Sequence, residues 1–548
     1  MPLEETLEEK LNYLLPGVTA SGQIPAWPPD VFCLCAAVLQ CSGAYSSLVE
    51  DRQTYLGGSS SAERAAKLDT LGSLWRRSAI GDGKIPAEVR RWWKALLTEK
   101  ALAISQISKS KPCTTALLNL LAVSDEACHG VGIFLPGRNA GITPEEILDD
   151  KFADIATELL LDIETVGVGG STLCREIHPS KGRVLPRMHT PQSGLTVRSL
   201  SHHLAYSATS DIQPEWLSVA EDAQDHAFNL LLIPWPDTTD PIQFKQSKKV
   251  GITGDVERGG YGLFTYRPSK GPTAAFVQSL ISEAERKMGT VNGIIFPELA
   301  MSEAEYKKLS RAFVKRDRFL IAGVGREASS QTLCGKNEAL LDVAVPFKKK
   351  LLKTQFRQKK HHRWKLTKQQ IVQYGIGANL HPEASWWEHI SLAARSLAFL
   401  TLRPWLTLTV LICEDLARPD PVGDLLRSVG PNLVIALLSD GPQLVSRWPG
   451  RYAGALADDP GSSVLTVTSA GMSNLSKPID GSIDKSGVVA LWRDPKSGAH
   501  ELSLEKGAKA IVLNLTVEYG EEWTADGRGD GGFSGYPILA GHHQIYLR

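Results

Sequence analysis

The sequence lacks an excess of either charge, any closely spaced set of cysteines and any long apolar run. Sixty Lys and Arg residues balance 60 Asp and Glu residues, which excludes a uniformly basic nucleic-acid coat and an acidic solvating tail as descriptions of the whole chain. The eight cysteines are scattered, with neither a CxxC pair nor the spacing of zinc ligands, so we expect reduced thiols and no metal site. Each apolar run is far shorter than the roughly 20 residues of a membrane span, so we expect no membrane partner.

The amino terminus also lacks the pattern of a secretory signal. It reads MPLEETLEEK, with neither the basic segment nor the apolar stretch of a signal peptide. Together with the sparse cysteines, this predicts a cytoplasmic protein.

What the sequence does contain is an ordinary globular composition over 548 residues, with 43% hydrophobic and 22% charged residues. This length is typical of roughly two to four domains. Before about residue 225, apolar residues at helical spacing predict helices over residues 30–45, 87–97, 114–122 and 144–165. We therefore expect residues 1–225 to form a mostly helical domain, whose role the sequence leaves open.

After residue 225, short apolar runs alternate with amphipathic stretches. This alternation is typical of a layered α/β domain, which we place at residues 226–548. The glycine-rich segment 526–535 is expected to be a flexible loop. The predicted strands are 229–233, 293–296, 319–324, 339–345, 407–413, 433–438, 464–468 and 544–547, and the predicted helices between them are 272–288, 302–315 and 448–457.

The first pattern that suggests chemistry is an apolar strand, residues 293–296, that ends in Pro297-Glu298. Side chains at strand ends in α/β folds are fixed by the sheet and accessible from the following loop. Glu298 is therefore a candidate acid or base. The alternative is a carboxylate that only complements the dipole of a following helix.

A second predicted strand, residues 407–413, ends in Cys413, which is followed by Glu414 and Asp415. A free cysteine on an apolar run usually packs as a small hydrophobic side chain. The position of Cys413 at the end of the run, next to two acids, favours instead a thiol exposed to a site.

The segment from Lys348 to Lys368 holds ten Lys or Arg residues and no acid. Three interpretations remain: a solvated loop, a nucleic-acid contact in which basic and aromatic side chains meet phosphates and bases, or a strand that delivers a lysine to the site. On such a strand Leu352, Phe356 and Lys360 share one face. Lys359 lies on the other face, so Lys360 would be the inward lysine.

Glu298, Lys360 and Cys413 together form a workable hydrolytic set. A thiolate attacks an electrophilic carbon, and a neighbouring carboxylate takes the thiol proton and later returns it to a leaving amine. An ammonium group stabilises the oxyanion. A nearby lysine should also lower the pKa of Cys413 and make it the most reactive thiol. This chemistry needs no metal and no cofactor.

The order of these motifs resembles the nitrilase, or carbon–nitrogen hydrolase, superfamily over residues 226–548. Members of that family carry an apolar strand into Pro-Glu, a Lys-x-His segment, and Cys-x-Asp followed by Pro-Glu or Pro-Asp. The corresponding residues of this chain are Pro297-Glu298, Lys360-His361-His362, Cys413-Glu414-Asp415 and Pro419-Asp420.

The resemblance implies a C-terminal α-β-β-α sandwich beside the helical domain, and a hydrolase that acts through a thioester. Cys413 would be the nucleophile and Glu298 the general base, then acid. Lys360 and the backbone N–H of Glu414 would hold the oxyanion, with Asp415 in support. The resemblance further implies a small-molecule amide or nitrile as substrate and a homo-oligomer as the assembled form.

Two departures from the family pattern stand directly after the lysine. The usual Leu after Lys-x-His is replaced by Arg363 and Trp364. The second Glu that the family carries a few residues further on is absent, and only Gln369 or Gln370 stands there.

The stretch between Lys360 and Cys413 is also long for the family. It includes Trp386-Trp387-Glu388, which we predict to be an inserted helix near the site. These departures leave an alternative open, in which a degenerate domain acts as a binding or signalling module beside a nucleic-acid-handling partner. The basic segment from Lys348 to Lys368 would then be its contact surface.

Overall fold

The computed structural model describes residues 4–50, 55, 60–81, 83–133, 151–152, 154–156, 172–208, 211–219, 227–247, 260–327, 334–347, 350–476 and 485–547. Most of the predicted helix 144–165 lies outside the described residues, and so do Lys348 and Lys349 at the start of the basic segment.

The N-terminal part is helical, as its apolar spacing predicts. The helices Pro28–Ser42 and Lys111–Glu126 pack against each other and both carry a proline in the first turn, where the missing N–H has no intrahelical partner to lose. Every side chain from Val31 to Leu39 is buried, so Pro28–Ser42 is the centre of this part. The described helices before residue 130 are Leu7–Leu14, Val18–Ser21, Pro28–Ser42, Ser47–Glu50, Ser61–Ala79, Ala87–Thr98 and Lys111–Glu126.

Two seven-stranded sheets dominate the rest of the chain. The first consists, in spatial order, of β10 (Lys350–Lys359), β9 (Lys336–Phe347), β8 (Phe319–Arg326), β7 (Gly293–Met301), β4 (Phe228–Leu232), β19 (Ala510–Gly520) and β20 (Ser534–Ile545). The second consists of β18 (Gly498–Ser503), β17 (Val488–Asp494), β16 (Ser463–Val467), β15 (Leu433–Leu437), β14 (Leu406–Ile412), β13 (Ser396–Arg403) and β3 (Gln213–Ser218).

The other strands among the described residues form two smaller sheets. One is a two-stranded sheet of β1 (Arg183–Pro186) and β2 (Leu204–Ser207). The other is a four-stranded sheet that consists, in spatial order, of β11 (Lys365–Leu366), β12 (Ser385–Glu388), β6 (Tyr261–Tyr266) and β5 (Phe244–Gln246). The prediction of an inserted helix at residues 386–388 is therefore wrong. These residues form strand β12, in which the side chains of Trp386 and Glu388 are more deeply buried than that of Trp387 between them.

The two large sheets face each other with helices outside them. Leu230 and Ile321 of the first sheet share one buried cluster with Leu408 and Ile435 of the second, so this cluster is the layer between the sheets. The molecule thus contains the predicted α-β-β-α sandwich. The outer helices are Ala274–Met288 and Glu303–Phe313 on the first sheet, and Gly423–Val429 and Trp448–Asp458 on the second. The other short α-helices among the described residues are Lys368–Gln373, Glu414–Ala417 and Ala470–Leu475.

The N-terminal helices and the second sheet share a core. One buried cluster contains Leu117 of the helices, Trp216 of β3 and Phe399 of β13, and the rings of Trp216 and Phe399 stack with their centroids 5.2 Å apart. Strand β3 pairs in parallel with β13, although it precedes residue 226. The second sheet therefore takes a strand from the N-terminal side of the predicted boundary.

The segment 526–535 is bound to the N-terminal helices by buried charges. Arg528 is 1% exposed and donates to Asp125 at 3.1 Å, and Asp526 accepts from Arg64 at 2.5 Å. Buried charges are stable only when they are paired. The prediction of a flexible loop is therefore wrong at Asp526 and Arg528.

Among the described residues, no individual helix is both long and apolar enough to cross a membrane. The helix Pro28–Ser42 and the adjoining segment Ala44–Glu50 meet the criteria of length and composition only as a pair, which is bent by 87°.

Candidate active site

The three residues singled out by the sequence lie on two facing sheets. Glu298 lies in β7 and Lys360 directly follows β10, both in the first sheet, whereas Cys413 directly follows β14 in the second. Their exposed fractions are 2%, 0% and 2%. The candidate site is therefore enclosed in the interior, and the expectation of an exposed Cys413 is wrong.

A backbone irregularity in β7 sets the position of Glu298. The pairing of β7 with β8 is regular as far as Phe296 and shifts before Met301. Leu299 has a positive φ of 55°, which is uncommon outside glycine. Gly323 of β8 makes the close approach possible, because a Cβ at this position would lie 2.4 Å from the Cα of Glu298.

Glu298 is hydrogen-bonded at one carboxylate oxygen only. Its Oε1 accepts from Asn337 Nδ2 at 2.7 Å and from Lys360 Nζ at 2.8 Å, while its buried Oε2 has no hydrogen-bond partner among the described residues. Burial raises the pKa of Glu298 above its ordinary value, and Lys360 offsets only part of this effect. A carboxylate with a raised pKa and a free oxygen is suited to accept a proton.

Lys360 is held between two carboxylates. Its Nζ donates to Glu298 Oε1 at 2.8 Å and to Glu388 Oε2 at 2.9 Å. Burial alone would lower the pKa of Lys360, but Glu298 and Glu388 outweigh burial and raise it well above its ordinary value. The ammonium group is therefore charged at neutral pH and fixed in direction.

Sequence reasoning missed Glu388 and Asn337. Glu388 reaches Lys360 from β12 of the four-stranded sheet, and Asn337 Nδ2 donates to Glu298 and to Glu388, each at 2.7 Å. The site thus has a second glutamate, which comes from a segment well after the Gln369 and Gln370 positions. The sequence carries no local signal for either contact, because both depend on how the four-stranded sheet docks beside the first sheet.

Cys413 stands in a strained backbone conformation. Its φ of 48° and ψ of −108° lie outside the regions that a non-glycine residue normally occupies, and such strain is concentrated at functional sites. Burial and the charge of Glu298 raise the pKa of the Cys413 thiol well above its ordinary value, against the lowering effect of Lys360. The predicted net lowering of this pKa is therefore wrong, because the lowering effect of Lys360 does not outweigh burial.

Asp415 stabilises the turn that follows Lys360 through hydrogen bonds. Its carboxylate accepts from the backbone N–H of His361 at 3.0 Å and of His362 at 3.0 Å. The side chain of Asp415 is buried, so it links the chain after Cys413 in one sheet to the chain after Lys360 in the other. Glu414 is partly buried and pairs with Arg418 at 3.3 Å.

Strand β10 brings Lys360 to the inner face, as the alternation predicts. Phe356 and Lys360 are buried, whereas Lys359 is only partly buried and donates to the carbonyl of Ala393 at 3.2 Å. The prediction that Leu352 shares the buried face is wrong. Leu352 is 48% exposed, because it lies near the far end of this edge strand.

Several basic side chains in the described part of the basic segment form ion pairs within the molecule. Lys360 is buried in the site, Arg357 pairs with Glu303 at 2.7 Å, and Lys368 pairs with Glu383 at 2.5 Å. The nucleic-acid contact at this segment stays a prediction.

Aromatic side chains of the four-stranded sheet form a wall beside the site. Phe264 and Trp386 belong to one buried cluster with Trp364 and with Leu299, the neighbour of Glu298. The ring centroids of Phe264 and Trp364 are 5.7 Å apart. An apolar wall at this place lowers the local dielectric constant and strengthens the interactions among the charged groups.

No protein-family model matches the chain, and no curated protein matches it. Among solved structures, Nit3 of Saccharomyces cerevisiae, a member of branch 10 of the nitrilase superfamily, is 14% identical with a TM-score of 0.31, and the match covers 54% of this chain and 93% of that one. A variant of the Nesterenkonia AN1 amidase from the same superfamily is 12% identical with a TM-score of 0.30, covering 54% and 92%. The CN-hydrolase superfamily protein XC1258 of Xanthomonas campestris is 11% identical with a TM-score of 0.24, covering 59% and 92%. At these identities and TM-scores, function has to be inferred from the residues of the site.

Proposed function

We propose that this chain is a thiol-dependent hydrolase of non-peptide carbon–nitrogen bonds in small amides or nitriles. The observation that carries the proposal is a lysine ammonium held between two buried carboxylates, which interacts electrostatically with a buried, strained cysteine. These groups supply a nucleophile, a base and an oxyanion donor. The resemblance of the motif order to the nitrilase superfamily supports the same chemistry.

In the acylation half-reaction, Glu298 Oε2 takes the proton of Cys413 while Sγ attacks the amide carbon. A thiol with a raised pKa needs this base at neutral pH, since little free thiolate exists before the attack. Lys360 donates to the oxyanion, together with the backbone N–H of Glu414. The carbon–nitrogen bond then breaks, and Glu298 returns its proton to the departing ammonia or amine.

In the second half-reaction, water hydrolyses the thioester on Cys413. Glu298 takes a proton from the water as it attacks, and Lys360 again stabilises the oxyanion. The carboxylic acid leaves and the proton returns to the sulfur, which restores the enzyme. A nitrile would first give a thioimidate, which water converts into the thioester with loss of ammonia.

Glu388 has a positioning role in this scheme. It holds Lys360 in place, at 2.9 Å, so that the ammonium does not need to reorient when negative charge develops on the substrate. Preorganised charge of this kind is usually the largest contribution to rate enhancement.

The test is hydrolysis of a panel of small primary amides and nitriles by the full-length protein, measured as ammonia release. We expect turnover of at least one compound, loss of turnover in Cys413→Ala, and an acyl adduct on Cys413 in rapidly quenched samples analysed by mass. Cys334→Ala is the matched control and should retain activity.

Two results together would overturn the proposal: no ammonia from any compound, and a Cys413 that stays unlabelled by iodoacetamide while Cys334 reacts. Those results would favour the alternative of a degenerate binding module. A pull-down with and without nuclease would then test whether its partner handles nucleic acid.

We also propose that the active form is a homo-oligomer, as the resemblance implies. Sedimentation equilibrium of the full-length protein should give a mass of two or more chains. A purely monomeric active enzyme would contradict this part of the proposal.

A further inference from the structure

A cavity of about 280 Å³ lies where the N-terminal helices meet the outer helices of the second sheet. Its wall comes from the helix Pro28–Ser42, from residues 187–208 and from the helix Gly423–Val429. None of the proposed catalytic residues lines it. The volume is near the lower end of the range of about 300–1,000 Å³ that is typical of small-molecule sites.

The most deeply buried charge in the wall is Arg187, which is 4% exposed. Its Nε donates to the carbonyl of Leu204 at 3.1 Å, and its Nη1 donates to the carbonyl of Arg198. Among the described residues it forms no ion pair. The guanidinium group is thus anchored by neutral acceptors, and its remaining donors are free for a ligand.

Two further arginines line the cavity but share a single carboxylate. Arg198 pairs with Asp459 at 3.0 Å, and Arg427 lies 3.6 Å from the same aspartate. Asp424 is the only acid in the described lining of the cavity. The wall therefore carries an excess of positive charge.

The charge of Arg187 is incompletely compensated. Burial lowers the pKa of Arg187 to about 10, although Asp125, Glu522 and Asp459 oppose this at longer range, and Arg198 adds to it. The group still carries its charge at neutral pH. Because a buried cation without a direct counter-ion is unfavourable, an anion in the cavity would stabilise it.

The remaining wall suits an anion that carries a planar group. Tyr45, Tyr206 and Ser428 also line the cavity, so aromatic and hydroxyl-bearing residues are available to a ligand. A guanidinium fork binds carboxylate and phosphate oxygens in a bidentate manner. We propose that this cavity is a binding site for a small organic anion, a carboxylate or phosphate monoester on a planar group, with Arg187 as its principal contact.

The test is titration calorimetry of the full-length protein with three probes that share one ring: benzoate, phenyl phosphate and neutral benzyl alcohol. At least one anion should saturate a single site per chain, and benzyl alcohol should not bind. The preferred anion identifies the ligand as a carboxylate or a phosphate. Binding should weaken as salt is added, because the attraction is electrostatic.

Variants locate the binding. Arg187→Gln should weaken the preferred anion about tenfold or more, since it removes the buried partner of the charge, while Arg451→Gln on the exposed face of Trp448–Asp458 should leave binding unchanged. Ala208→Trp fills the exposed mouth of the cavity without changing charge and should abolish binding.

The proposal is overturned if neither anion binds, or if the affinity of a bound anion is the same in Ala208→Trp as in the unmodified chain. If Arg187→Gln does not fold, the affinity of Ala208→Trp for the anion alone tests the proposal.

Discussion

At the scale of single residues, the proposed chemistry depends on which of two adjacent lysines meets Glu298. Lys360→Ala should lower turnover by about 10²–10³, because it removes the oxyanion donor. It should also destabilise the fold by about 3–5 kcal/mol, since two buried carboxylates lose their counter-ion. Lys359→Ala removes a lysine that only reaches the carbonyl of Ala393 and should be nearly silent. Steady-state rates and thermal unfolding of both variants measure these effects.

Equal and small effects of the two lysine substitutions on turnover would contradict the role of Lys360. A normal unfolding temperature for Lys360→Ala would likewise be incompatible with an ammonium group buried between Glu298 and Glu388.

The raised pKa of Glu298 gives a second prediction, in the pH profile. The base must be ionised to take the thiol proton, so kcat/KM should rise with pH through the pKa of Glu298, above the ordinary value of 4.5. The charge of Glu388 contributes to this rise in pKa. Glu388→Gln removes that charge, so it should move the acidic limb to lower pH as well as reduce kcat.

Glu383→Gln is the matched control for the pH profile, because Glu383 is exposed and pairs with Lys368 outside the site. Its acidic limb should coincide with that of the unmodified chain. An acidic limb that stays in place in Glu388→Gln would show that the limb does not report Glu298.

Single residues also show what a sequence can reveal of a site. Glu298 and Cys413 follow apolar runs whose ends are visible in the sequence, and Lys360 shares the strand face of Phe356, so the candidacy of all three could be predicted. The roles of Glu388 and Asn337 could not be predicted, because their contacts depend on how a separate four-stranded sheet docks beside the first sheet. The direction of the Cys413 pKa shift was also inaccessible, since it depends on the depth of burial.

At the scale of elements, the irregular end of β7 is the feature that positions the base. Gly323→Ala should displace it, because the new Cβ would lie 2.4 Å from the Glu298 Cα and 2.6 Å from the Pro297 oxygen. Both are backbone atoms, which cannot move aside as a flexible side chain does. We expect a loss of about 1–3 kcal/mol in the free energy of unfolding, typical of overpacking, and a fall in kcat of up to about 10², typical of a misplaced catalytic group.

Gly454→Ala is the control for this substitution. Gly454 lies in the helix Trp448–Asp458, and a Cβ added there would meet no neighbouring atom within 4 Å. Alanine at this position should therefore be neutral or stabilising by about 0.5–1 kcal/mol. Denaturant titration measures the free energy of unfolding of the two variants, and steady-state kinetics compares their kcat. Gly323→Ala with unchanged kcat would show that the bulge does not set the position of Glu298.

The elements themselves were predictable to different degrees. Strand β14 agrees with its continuous apolar run because it is buried on both faces, and the helix Trp448–Asp458 agrees with its apolar spacing because it buries one face. Strand β12 was mistaken for a helix, since four residues with two tryptophans carry little periodicity. Strand β3 was overlooked because its partner, β13, lies far along the chain, and pairing between distant segments leaves no local signal.

At the scale of the whole molecule, charge and packing join the two parts that the composition separates at residue 225. Arg528 reaches Asp125 and Glu126 of the N-terminal helices, Arg64 reaches Asp526, and β3 completes the second sheet. The division of the chain into two domains, residues 1–225 and 226–548, stays a prediction. The packing indicates that the two parts would hold together without the peptide connection.

The last prediction follows from this packing. If a specific protease site is inserted after residue 225 and cleaved, the two fragments should co-elute in size-exclusion chromatography, because β3 stays in its sheet and the ion cluster stays buried. Buried ion pairs are little affected by salt, so co-elution should persist at high salt. In Arg528→Met, the carboxylates of Asp125, Glu126 and Asp526 lose their shared cation, a loss that typically costs about 3–5 kcal/mol of stability. The cleaved fragments of this variant should therefore separate or aggregate. Separation of the cleaved, otherwise unmodified fragments would instead mean that each part folds and persists independently, and that the shared core contributes little to their association.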